Sequence, residues 1–599
     1  MRIWDRIDAG WVITAVFCLF VGSVVSDAND SVSLRDTSKK AEKTSRKKGG
    51  TDKIHGDAVI ESSRLALRVQ KDDGRLSIAY KLDGKIVETA EARLVGKGDD
   101  VVARLDSIRI DQNSGAEVSL WVEGVTKEKH KLPFAIRVRA DAPIFSIQPE
   151  ARPSEIKLNF RSSHSVVPDI FGDDLVFRSG EGQKGELTLP AGVAFVQLLD
   201  GGDAMMVACW TPVEKEVVVR SETESGMMTF TRAEIPMAGK EGISIAVLAD
   251  RAIWREENAA QYSFSEHRKT EWMPPFPARY RCDLKKKDSW GLTDSWRRAT
   301  SRERVWCSFL NYCYPPLSFV KDGAYLRIPK YQASGGFAHG EAKAIQYDGP
   351  ILLYPFDRER NGKKDEKTPP DKFTVLDVVA NTLGRDWLKQ LDVGEGVLED
   401  EPYPEGYVYT ATCGCTGDVE KIFKEGKERK KAGEIRLEFG EMDQFVRYNR
   451  KRIEEYVAFS KTYKEFAVQQ SSRGNADLTQ ALADLQPLVD YIPEQYRSLL
   501  PEMKTPEDCA KLSSQVIALI DSHDQKKLKR VQELGKAIRV IGGTQDDLLA
   551  ACRFHVKLLR QKAGLIHARS SDPATRETMR GILRLTQTML RIRSPYEGH

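Results

Sequence analysis

Three side chains in the middle of the chain are of the types that transfer protons and hold acidic substrates: His339, Tyr354 and Arg358. His339 lies on a glycine-rich loop, and the other two close an apolar run that is typical of a strand. A polysaccharide lyase can use this combination, because an arginine neutralises the carboxylate of an acidic sugar while a histidine or tyrosine moves the proton. These residues are the candidate catalytic set. A lone loop histidine is more often a surface residue, so catalysis is the alternative prediction.

A hydrolase would need different groups in the same region. Glycoside hydrolases act with two carboxylates at a defined separation, and Glu341 with Asp357 is one such pair. Sequence spacing does not give their distance in space, so lyase and hydrolase both stay open. The sequence contains no Gly-x-Ser-x-Gly elbow, no His-Glu-x-x-His helix and no phosphate-binding loop.

An aromatic and arginine-rich stretch provides a candidate binding surface. Residues 272–316 contain nine aromatic residues among 45, whereas aromatics make up 8% of the whole chain. Flat rings stack on sugar faces, and guanidinium groups hold carboxylates or sulfates. The predicted binding residues are Trp290, Trp296, Arg297, Arg298 and Trp306. The alternative is that these aromatics pack between two domains.

Neither a metal nor a cofactor is predicted. Two acidic turns, 169–174 and 200–203, lack the ligand alternation of a calcium loop and are explained by turn chemistry. Of the nine cysteines, eight follow the N-terminal apolar segment, and no histidine stands at ligand spacing beside them. In an exported protein this even count permits disulfides, but it does not give their connectivity.

The N-terminus predicts export. Arg2 and Arg6 precede an apolar run from Trp11 to Val25, which is short for a membrane-spanning helix. Residues 1–26 are therefore predicted to form a signal peptide, and an uncleaved membrane anchor is the alternative. Residues 27–56 are polar and rich in lysine, which indicates a disordered basic tether.

A β-rich domain is predicted over residues 57–262. Short alternating apolar runs follow one another with turn residues between them, and Asp73-Gly74 and Asp83-Gly84 mark two tight hairpins. More than ten such runs without helical periodicity favour an antiparallel β-sandwich.

The middle of the chain, residues 263–415, predicts an aromatic and Arg-rich mixed α/β region. Thr374-Val-Leu-Asp377 resembles a capping box that opens a short helix, and Gly384 is predicted to end it.

Residues 416–599 predict an α-helical bundle. Apolar residues at helical spacing over 438–470 indicate a long amphipathic helix, and Thr505-Pro506 and Asp572-Pro573 predict two further helix starts. Pro487 is predicted to interrupt a helix. Gly542-Gly543 is predicted to end another, immediately before a cap at Thr544.

The last segment of the chain is basic. Residues 553–599 contain ten Lys/Arg and three Asp/Glu, a net charge of +7. A solvated face of the bundle is the simpler interpretation, and contact with a polyanionic glycan or a membrane surface is the functional one. Predicted export argues against nucleic acid, and the overall net charge of +4 is small for 599 residues.

Several short pieces between about 160 and 460 resemble a family of uncharacterised exported proteins of planctomycete-type bacteria. The pieces are Val167-Pro168-Asp169 with Gly172-Asp173-Asp174, Leu199-Asp200-Gly-Gly-Asp203, Trp272-Met-Pro-Pro-Phe-Pro-Ala-Arg-Tyr-Arg281, Tyr354-Pro-Phe-Asp357-Arg358, Leu376-Asp377-Val378 with Thr382-Leu383-Gly384, and Ala411-Thr412-Cys413. The resemblance implies export and this architecture. It implies no activity and no catalytic residue.

The sequence as a whole predicts a multidomain α+β protein: an N-terminal antiparallel β-sandwich, a mixed aromatic-rich middle and a C-terminal α-helical bundle. The expected function is that of an exported cell-envelope or secreted protein that binds an acidic polysaccharide or an envelope protein through its aromatic and Arg-rich region. The alternative is a polysaccharide lyase or glycoside hydrolase with a cleft between sandwich and bundle. Membrane contact is expected only through an uncleaved signal segment.

Overall fold

The computed structural model describes the chain in separate stretches. They are residues 31–38, 53–150, 155–168, 174–182, 185–211, 215–224, 226–237, 242–258, 268–270, 272, 274–286, 289–297, 317–320, 323–326, 331–332, 344–345, 349–358, 368–384, 442–472, 476–501, 503–522 and 525–591. The predicted signal peptide lies outside them.

The N-terminal half forms one large antiparallel network of 18 strands. The strands are β1 (Ser33–Asp36), β2 (Lys53–Ile54), β3 (Ala58–Glu61), β4 (Leu65–Val69), β5 (Leu76–Leu82), β6 (Lys85–Val95), β7 (Val102–Asn113), β8 (Glu117–Thr126), β9 (Lys131–Arg139), β10 (Ile144–Pro149), β11 (Glu155–Val167), β12 (Leu175–Arg178), β13 (Glu186–Leu189), β14 (Ala194–Leu199), β15 (Ala204–Trp210), β16 (Val217–Glu224), β17 (Met227–Pro236) and β18 (Ile243–Ala249).

The two predicted hairpins are confirmed. Asp73-Gly74 lies between β4 and β5, and Asp83-Gly84 joins β5 directly to β6. Asp83 and Gly84 have φ angles of 51° and 74°, and Leu82 pairs with Lys85 across this two-residue loop. Positive φ at both central residues matches the right-handed twist of the flanking strands, and Asp-Gly adopts it readily.

The predicted disordered tether over 27–56 is wrong where the chain enters the sheet. Ser33–Asp36 pairs with β3, and Lys53–Ile54 pairs with β7. The carboxylate of Asp36 accepts backbone N–H groups from Ser38, His55 and Gly56 at 2.9, 2.9 and 3.0 Å. A lysine-rich composition does not reveal such long-range pairing.

Three smaller sheets follow. Their strands are β19 (Arg255–Asn258), β20 (Arg268–Thr270), β21 (Arg279–Lys286), β22 (Ser289–Arg297), β23 (Leu317–Val320), β24 (Gly323–Leu326), β25 (Tyr331–Gln332), β26 (Ala344–Ile345) and β27 (Pro350–Asp357). The most extensive is four-stranded, in the order β19-β27-β21-β22, and the others pair β20-β24-β23 and β25-β26.

The described helices include one short helix in the middle of the chain and five near its end. They are α1 (Val375–Leu383), α2 (Met442–Ser471), α3 (Ala476–Leu499), α4 (Pro506–Asp521), α5 (Leu528–Arg569) and α6 (Pro573–Arg591), with a 3₁₀ turn at Gln525–Lys527. No helix among the described residues is both long enough and apolar enough to cross a bilayer.

The predicted helix starts are confirmed at three caps. The Asp377 carboxylate accepts the backbone N–H and the hydroxyl of Thr374 at 2.8 and 2.9 Å before α1. At α4 the backbone N–H of Asp508 donates to the Thr505 hydroxyl at 3.1 Å. At α6 the Asp572 carboxylate accepts the N–H of Thr575 at 2.8 Å. Each cap satisfies N–H groups that the first turn leaves without a partner.

Two predicted helix interruptions are wrong. α5 runs through Gly542-Gly543 without a break, and α3 contains Pro487 and Pro493. A helical glycine costs about 1 kcal/mol and a proline about 3 kcal/mol relative to alanine. The buried faces of these helices, with Leu548 on α5 and Leu485 on α3, offset those costs by packing.

Helix α5 lies at the junction of sheets and helices. It packs on α2, α3, α4 and α6 and on strands β12, β13 and β22. The Gln561 side chain extends the edge of β12, because its amide donates to the carbonyl of Val176 at 2.8 Å and accepts the Val176 N–H at 3.2 Å. Gly564 permits this approach, since a Cβ there would lie 3.1 Å from Leu175.

This central position overturns the solvated interpretation of the basic segment for part of α5. Arg553, Lys557 and Arg560 are buried. Arg560 donates to the carbonyl of Leu583 at 3.0 Å, and Arg553 to that of Leu590 at 3.4 Å. α5 has neighbours on several sides, so its basic positions face protein.

Strands and helices share one apolar core. One buried cluster unites Phe145 and Trp210 of the large sheet with Tyr456, Leu485 and Leu559 of the helices. The coarse prediction of antiparallel β-structure followed by helices, an α+β chain, is confirmed. The thiols of Cys209 and Cys552 are buried and form no disulfide.

Candidate functional site

The candidate site lies on one face of the four-stranded sheet. Side chains alternate across a strand, and on β21 one set points into an apolar core while the other set is charged. The apolar set is Tyr280, Cys282 and Leu284. The charged set is Arg279, Arg281, Asp283 and Lys285. Arg281, Asp283 and Lys285 are buried. Burying ionisable side chains side by side is costly unless each is compensated, so this face carries more than packing requires.

Asp174, Arg281 and Tyr354 form the centre of the charged face. The Tyr354 hydroxyl donates a short hydrogen bond to Asp174 Oδ2, and Arg281 Nε lies 3.5 Å from the same oxygen. The Arg281 guanidinium also stacks over the Phe356 ring, 3.7 Å from its centroid. Arg281 is 2% exposed and the other two side chains are fully buried. Three elements far apart in sequence therefore meet in one buried polar contact.

The environment keeps Tyr354 protonated. Burial raises its pKa well above the ordinary value, and the negative charges of Asp174 and Asp283 raise it further. A phenol with a raised pKa donates a proton or a hydrogen bond and is a poor base. Tyr354 is therefore suited to the role of a donor at this site.

A second part of the cluster surrounds His164. Its Nδ1 lies 2.9 Å from the Ser163 hydroxyl, and its Nε2 lies 3.6 Å from Glu256 Oε2. The rings of Trp254 and Trp290 meet the imidazole edge-on at centroid distances of 6.2 and 5.9 Å.

Burial lowers the pKa of His164 to about 3, and the positive charges of Arg178 and Lys285 contribute to the shift. The imidazole is therefore neutral at physiological pH. A neutral imidazole beside a carboxylate can act as a hydrogen-bond partner for a bound ligand.

The rim of the cluster is more accessible than its centre. Lys285 Nζ lies 3.6 Å from Glu181 Oε1 and 5.6 Å from the ring centroid of Trp290. Arg178, with a side chain that is 47% exposed, lies 3.5 Å from Glu256 Oε1. Cations at the edge of a buried charged cluster are positioned to meet an anionic group from solvent.

The predicted catalytic residues are only partly described. The Tyr354 hydroxyl donates a hydrogen bond to Asp174. The Arg358 guanidinium instead donates to Asp377 Oδ1 at 2.7 Å and to the carbonyl of Pro369 at 3.3 Å. Arg358 thereby ties β27 to the start of α1, and it shares no partner with Tyr354. His339 lies outside the described residues, so the catalytic set of three stays a prediction.

The predicted binding residues are likewise divided. Trp290 is 3% exposed, with its ring packed against His164 and Lys285. Trp296 and Arg297 belong to β22, but their side chains are outside the described residues, as are Arg298 and Trp306. Of the same stretch, Trp272, Phe276 and Tyr280 are buried in the same apolar cluster as Trp290. For these four aromatics, packing between sheets is what the structure shows.

Sequence reasoning missed Asp174, Asp283 and His164. The sequence around Asp174 predicts only an acidic turn. The alternation of side chains along β11 could have identified His164. Ile156, Leu158 and Phe160 point inward at every second position. Ser162 and His164 continue this alternation and are buried. A polar residue at an inward position of a strand indicates a buried polar site.

One cluster among the described residues has metal-ligand chemistry. Asp100, Glu128 and His130 bring their ligand atoms within 4.8 Å of one another. His130 Nδ1 lies 3.0 Å from Asp100 Oδ2, and the Glu128 N–H donates to Asp100 Oδ1 at 3.0 Å. These hydrogen bonds join the loop before β7 to the β8–β9 hairpin, and this structural role explains why the three side chains lie together.

Neither a protein-family model nor a curated protein matches this sequence. Among solved structures, the ligand-free α-N-acetylgalactosaminidase of Bifidobacterium bifidum aligns at 11% identity and a TM-score of 0.24, covering 32% of this chain and 35% of that enzyme. The complex of the same enzyme with GalNAc aligns at 12% identity and a TM-score of 0.24, covering 32% of this chain and 36% of that enzyme. A heparinase III gene product aligns at 10% identity and a TM-score of 0.20, covering 37% of this chain and 40% of its own. This chain thus spans well under half of each matched protein, and these TM-scores identify no common fold.

Proposed function

We propose that this chain is an exported envelope or secreted protein that binds an acidic polysaccharide at the charged face of β21. Trp296, Arg297, Arg298 and Trp306 stay predicted binding residues, and an envelope protein with an acidic surface is the other partner of this kind. The finer architecture, a β-sandwich followed by a helical bundle, belongs to the same proposal, and a cleft between the two belongs to the alternative of a glycan-cleaving enzyme.

The observation that carries the proposal is the row of cations along one side of a single strand. Arg279, Arg281 and Lys285 lie on this side of β21 together with one acidic residue, Asp283, and Arg178 reaches the same rim from β12. Replacing buried ion pairs by apolar residues is often neutral or stabilising, so stability alone does not require them. Guanidinium groups in a sheltered site bind carboxylates and sulfates in two-pronged geometry.

Binding is expected to depend on the more accessible cations, which are Arg178 and Arg279. The Arg279 side chain is 24% exposed and lies 3.4 Å from Asp357. Replacing Arg178 or Arg279 by glutamine should weaken binding of a carboxylated or sulfated oligosaccharide by about tenfold each, because each change removes a charge-assisted contact worth about 1.4 kcal/mol. The measurement is a tryptophan-fluorescence titration of the full-length chain. The response should saturate, and it should weaken as salt is added.

The matched control is Arg255→Gln on the same sheet, where Arg255 pairs with Glu257 at 3.1 Å and has an exposed side chain. This variant should bind like the wild type. Absence of a saturable response to any acidic polymer contradicts the proposal. An equal response to neutral oligosaccharides contradicts the role of the cations.

A glycan-cleaving enzyme is the second candidate, and one observation favours it. Tyr354 is held protonated beside two buried carboxylates, Asp174 and Asp283, with Arg281 adjacent. A protonated phenol can supply a proton to a leaving group while an arginine holds the sugar carboxylate.

The test is incubation of the chain with acidic polysaccharides, followed by assay of new reducing ends and of unsaturated uronate. Cleavage that is lost in Tyr354→Phe would establish the enzyme. Cleavage that persists in this variant would place the chemistry elsewhere, with His339 as the next residue to replace.

A further inference from the structure

A groove on the large sheet lies where three neighbouring strands each change register. The pairing of β5 with β6 shifts at Thr89, that of β11 with β17 shifts between Asn159 and Ser162, and that of β16 with β17 shifts at Thr231. The groove has a volume of 410 Å³, and all three irregular sites line it. Bulges re-aim side chains and end strand pairing, and they are frequent beside binding sites. Their coincidence indicates a built feature of the sheet.

Beside this groove β6 has an open edge. Lys85–Glu88 pairs with β5 on one side and Thr89 is skipped in that pairing, whereas pairing with β11 begins only at Ala90. Within the described stretches no strand occupies the other side of Lys85–Thr89, because β11 turns away to pair with β14 and β12. Ile86 and Val87 on this edge are 54% and 38% exposed. An exposed apolar edge offers backbone donors and acceptors to another extended chain.

The charges of the groove specify which extended chain fits. Among its lining residues, Glu91 is paired with Arg75 at 2.7 Å, Arg161 with Asp200 at 3.3 Å, and Arg232 donates to Asn159 at 3.2 Å.

The two remaining lining carboxylates, Glu88 and Glu222, have no ion-pair partner in the part of the chain that the structure describes. Both residues are exposed. A lysine or arginine side chain entering the groove would find these two carboxylates there, beside the cation of Arg232, which donates to the neutral Asn159 side chain.

We propose that Lys85–Thr89 of β6 accepts an extended basic peptide segment of a partner protein as an added strand. The peptide takes the position that β11 would occupy if it continued beside β6. Its backbone bonds the open edge, its apolar residues cover Ile86 and Val87, and a lysine or arginine reaches Glu88 and Glu222. This site is separate from the charged face of β21.

The test uses the full-length chain and a fluorescent peptide of alternating threonine and valine with a central lysine. Fluorescence anisotropy should show saturable binding, and Glu88→Lys or Glu222→Lys should each weaken it by about tenfold or more, because an attraction becomes a repulsion. A twin with central glutamate should not bind. A twin with N-methylated backbone should also fail, since it cannot complete the strand pairing.

The matched control is Glu494→Lys, an exposed glutamate on α3, which should bind the lysine peptide like the wild type. Equal binding of all three peptides would overturn the proposal, as would wild-type affinity in both groove variants. Binding of neutral oligosaccharides in place of the peptide would assign the groove to sugar. Dimers in sedimentation that disappear in Glu88→Lys would assign the edge to a second copy of this chain.

Discussion

Replacing Arg281 by methionine is expected to lower the free energy of unfolding by about 3–5 kcal/mol. Arg281 is 2% exposed, its Nε lies 3.5 Å from Asp174 Oδ2, and Asp174 is fully buried. Methionine matches the volume of the aliphatic stem but removes the cation. The destabilisation comes from the negative charge that stays in the interior, and only to a smaller extent from lost packing on Phe356.

Urea unfolding followed by tryptophan fluorescence measures this loss. The control is Arg255→Met on the same sheet, because the exposed pair of Arg255 with Glu257 should contribute about 0–1 kcal/mol. Equal loss in the two variants would show that burial of Arg281 has no particular energetic weight. Wild-type stability in Arg281→Met would show that the cluster tolerates removal of its central cation.

A triple variant of the same cluster tests stability and binding separately. Removing all three central polar groups, with Arg281→Met, Asp174→Leu and Tyr354→Phe together, is expected to restore at least half of the stability lost in Arg281→Met alone. Neither member of the Arg281–Asp174 charge pair is then left buried without the other. The triple variant should nevertheless lose binding of acidic oligosaccharides. Recovered stability together with retained binding would contradict the assignment of this face as the binding site.

Local signals in the sequence predicted the elements well. The Asp83-Gly84 turn, the two hydrogen bonds that Thr374 donates to Asp377 and the cap at Asp572 all depend on residues a few positions apart. Side-chain chemistry and turn geometry decide these features without help from the rest of the chain. The predictions failed where distant packing decides, as in the passage of α5 through Gly542-Gly543.

The candidate site depends on contacts that no local pattern contains. Tyr354 and Asp174 are 180 residues apart, and Gln561 bonds Val176 across 385 residues. The sequence pointed to Tyr354 and to the arginines near β21, because strand alternation and composition are local. It did not identify Asp174 as the partner, since Gly-Asp-Asp is also an ordinary turn.

Replacing Glu216 by glutamine is expected to weaken the docking of α5 and α6 on the large sheet at neutral pH. Glu216, just before β16, lies 2.8 Å from His567 Nε2 of α5 and accepts a hydrogen bond from Arg580 Nε of α6 at 2.8 Å. His567 Nδ1 faces the carbonyl of Arg576 at 3.0 Å. One carboxylate therefore joins the sheet to both helices, and its loss leaves Arg580 without this partner in the interface.

The pH dependence of this effect has a definite sign. Burial by itself would raise the pKa of Glu216, but hydrogen bonds from Arg580 and His567 lower it from 4.5 to about 2. A group with a lowered pKa in the folded state stabilises that state above its unfolded pKa and loses this contribution as the pH falls. The contribution should be complete above about pH 5 and should disappear between pH 4.5 and about 2. Its size is about 3 kcal/mol at about 1.4 kcal/mol per pKa unit.

Urea unfolding by far-UV circular dichroism across this pH range tests the coupling. The wild type should exceed Glu216→Gln in stability by about 2–3 kcal/mol at neutral pH, and the two curves should converge near pH 2. Glu577→Gln is the matched control, because Glu577 also bonds Arg580 at 2.6 Å but is 63% exposed and should contribute less than about 1 kcal/mol. A difference in free energy of unfolding that stays constant down to pH 2 would mean that the glutamine substitution destabilises the fold through altered packing. A difference in stability that disappears near pH 2 would identify ionised Glu216 as the group that holds both helices on the sheet.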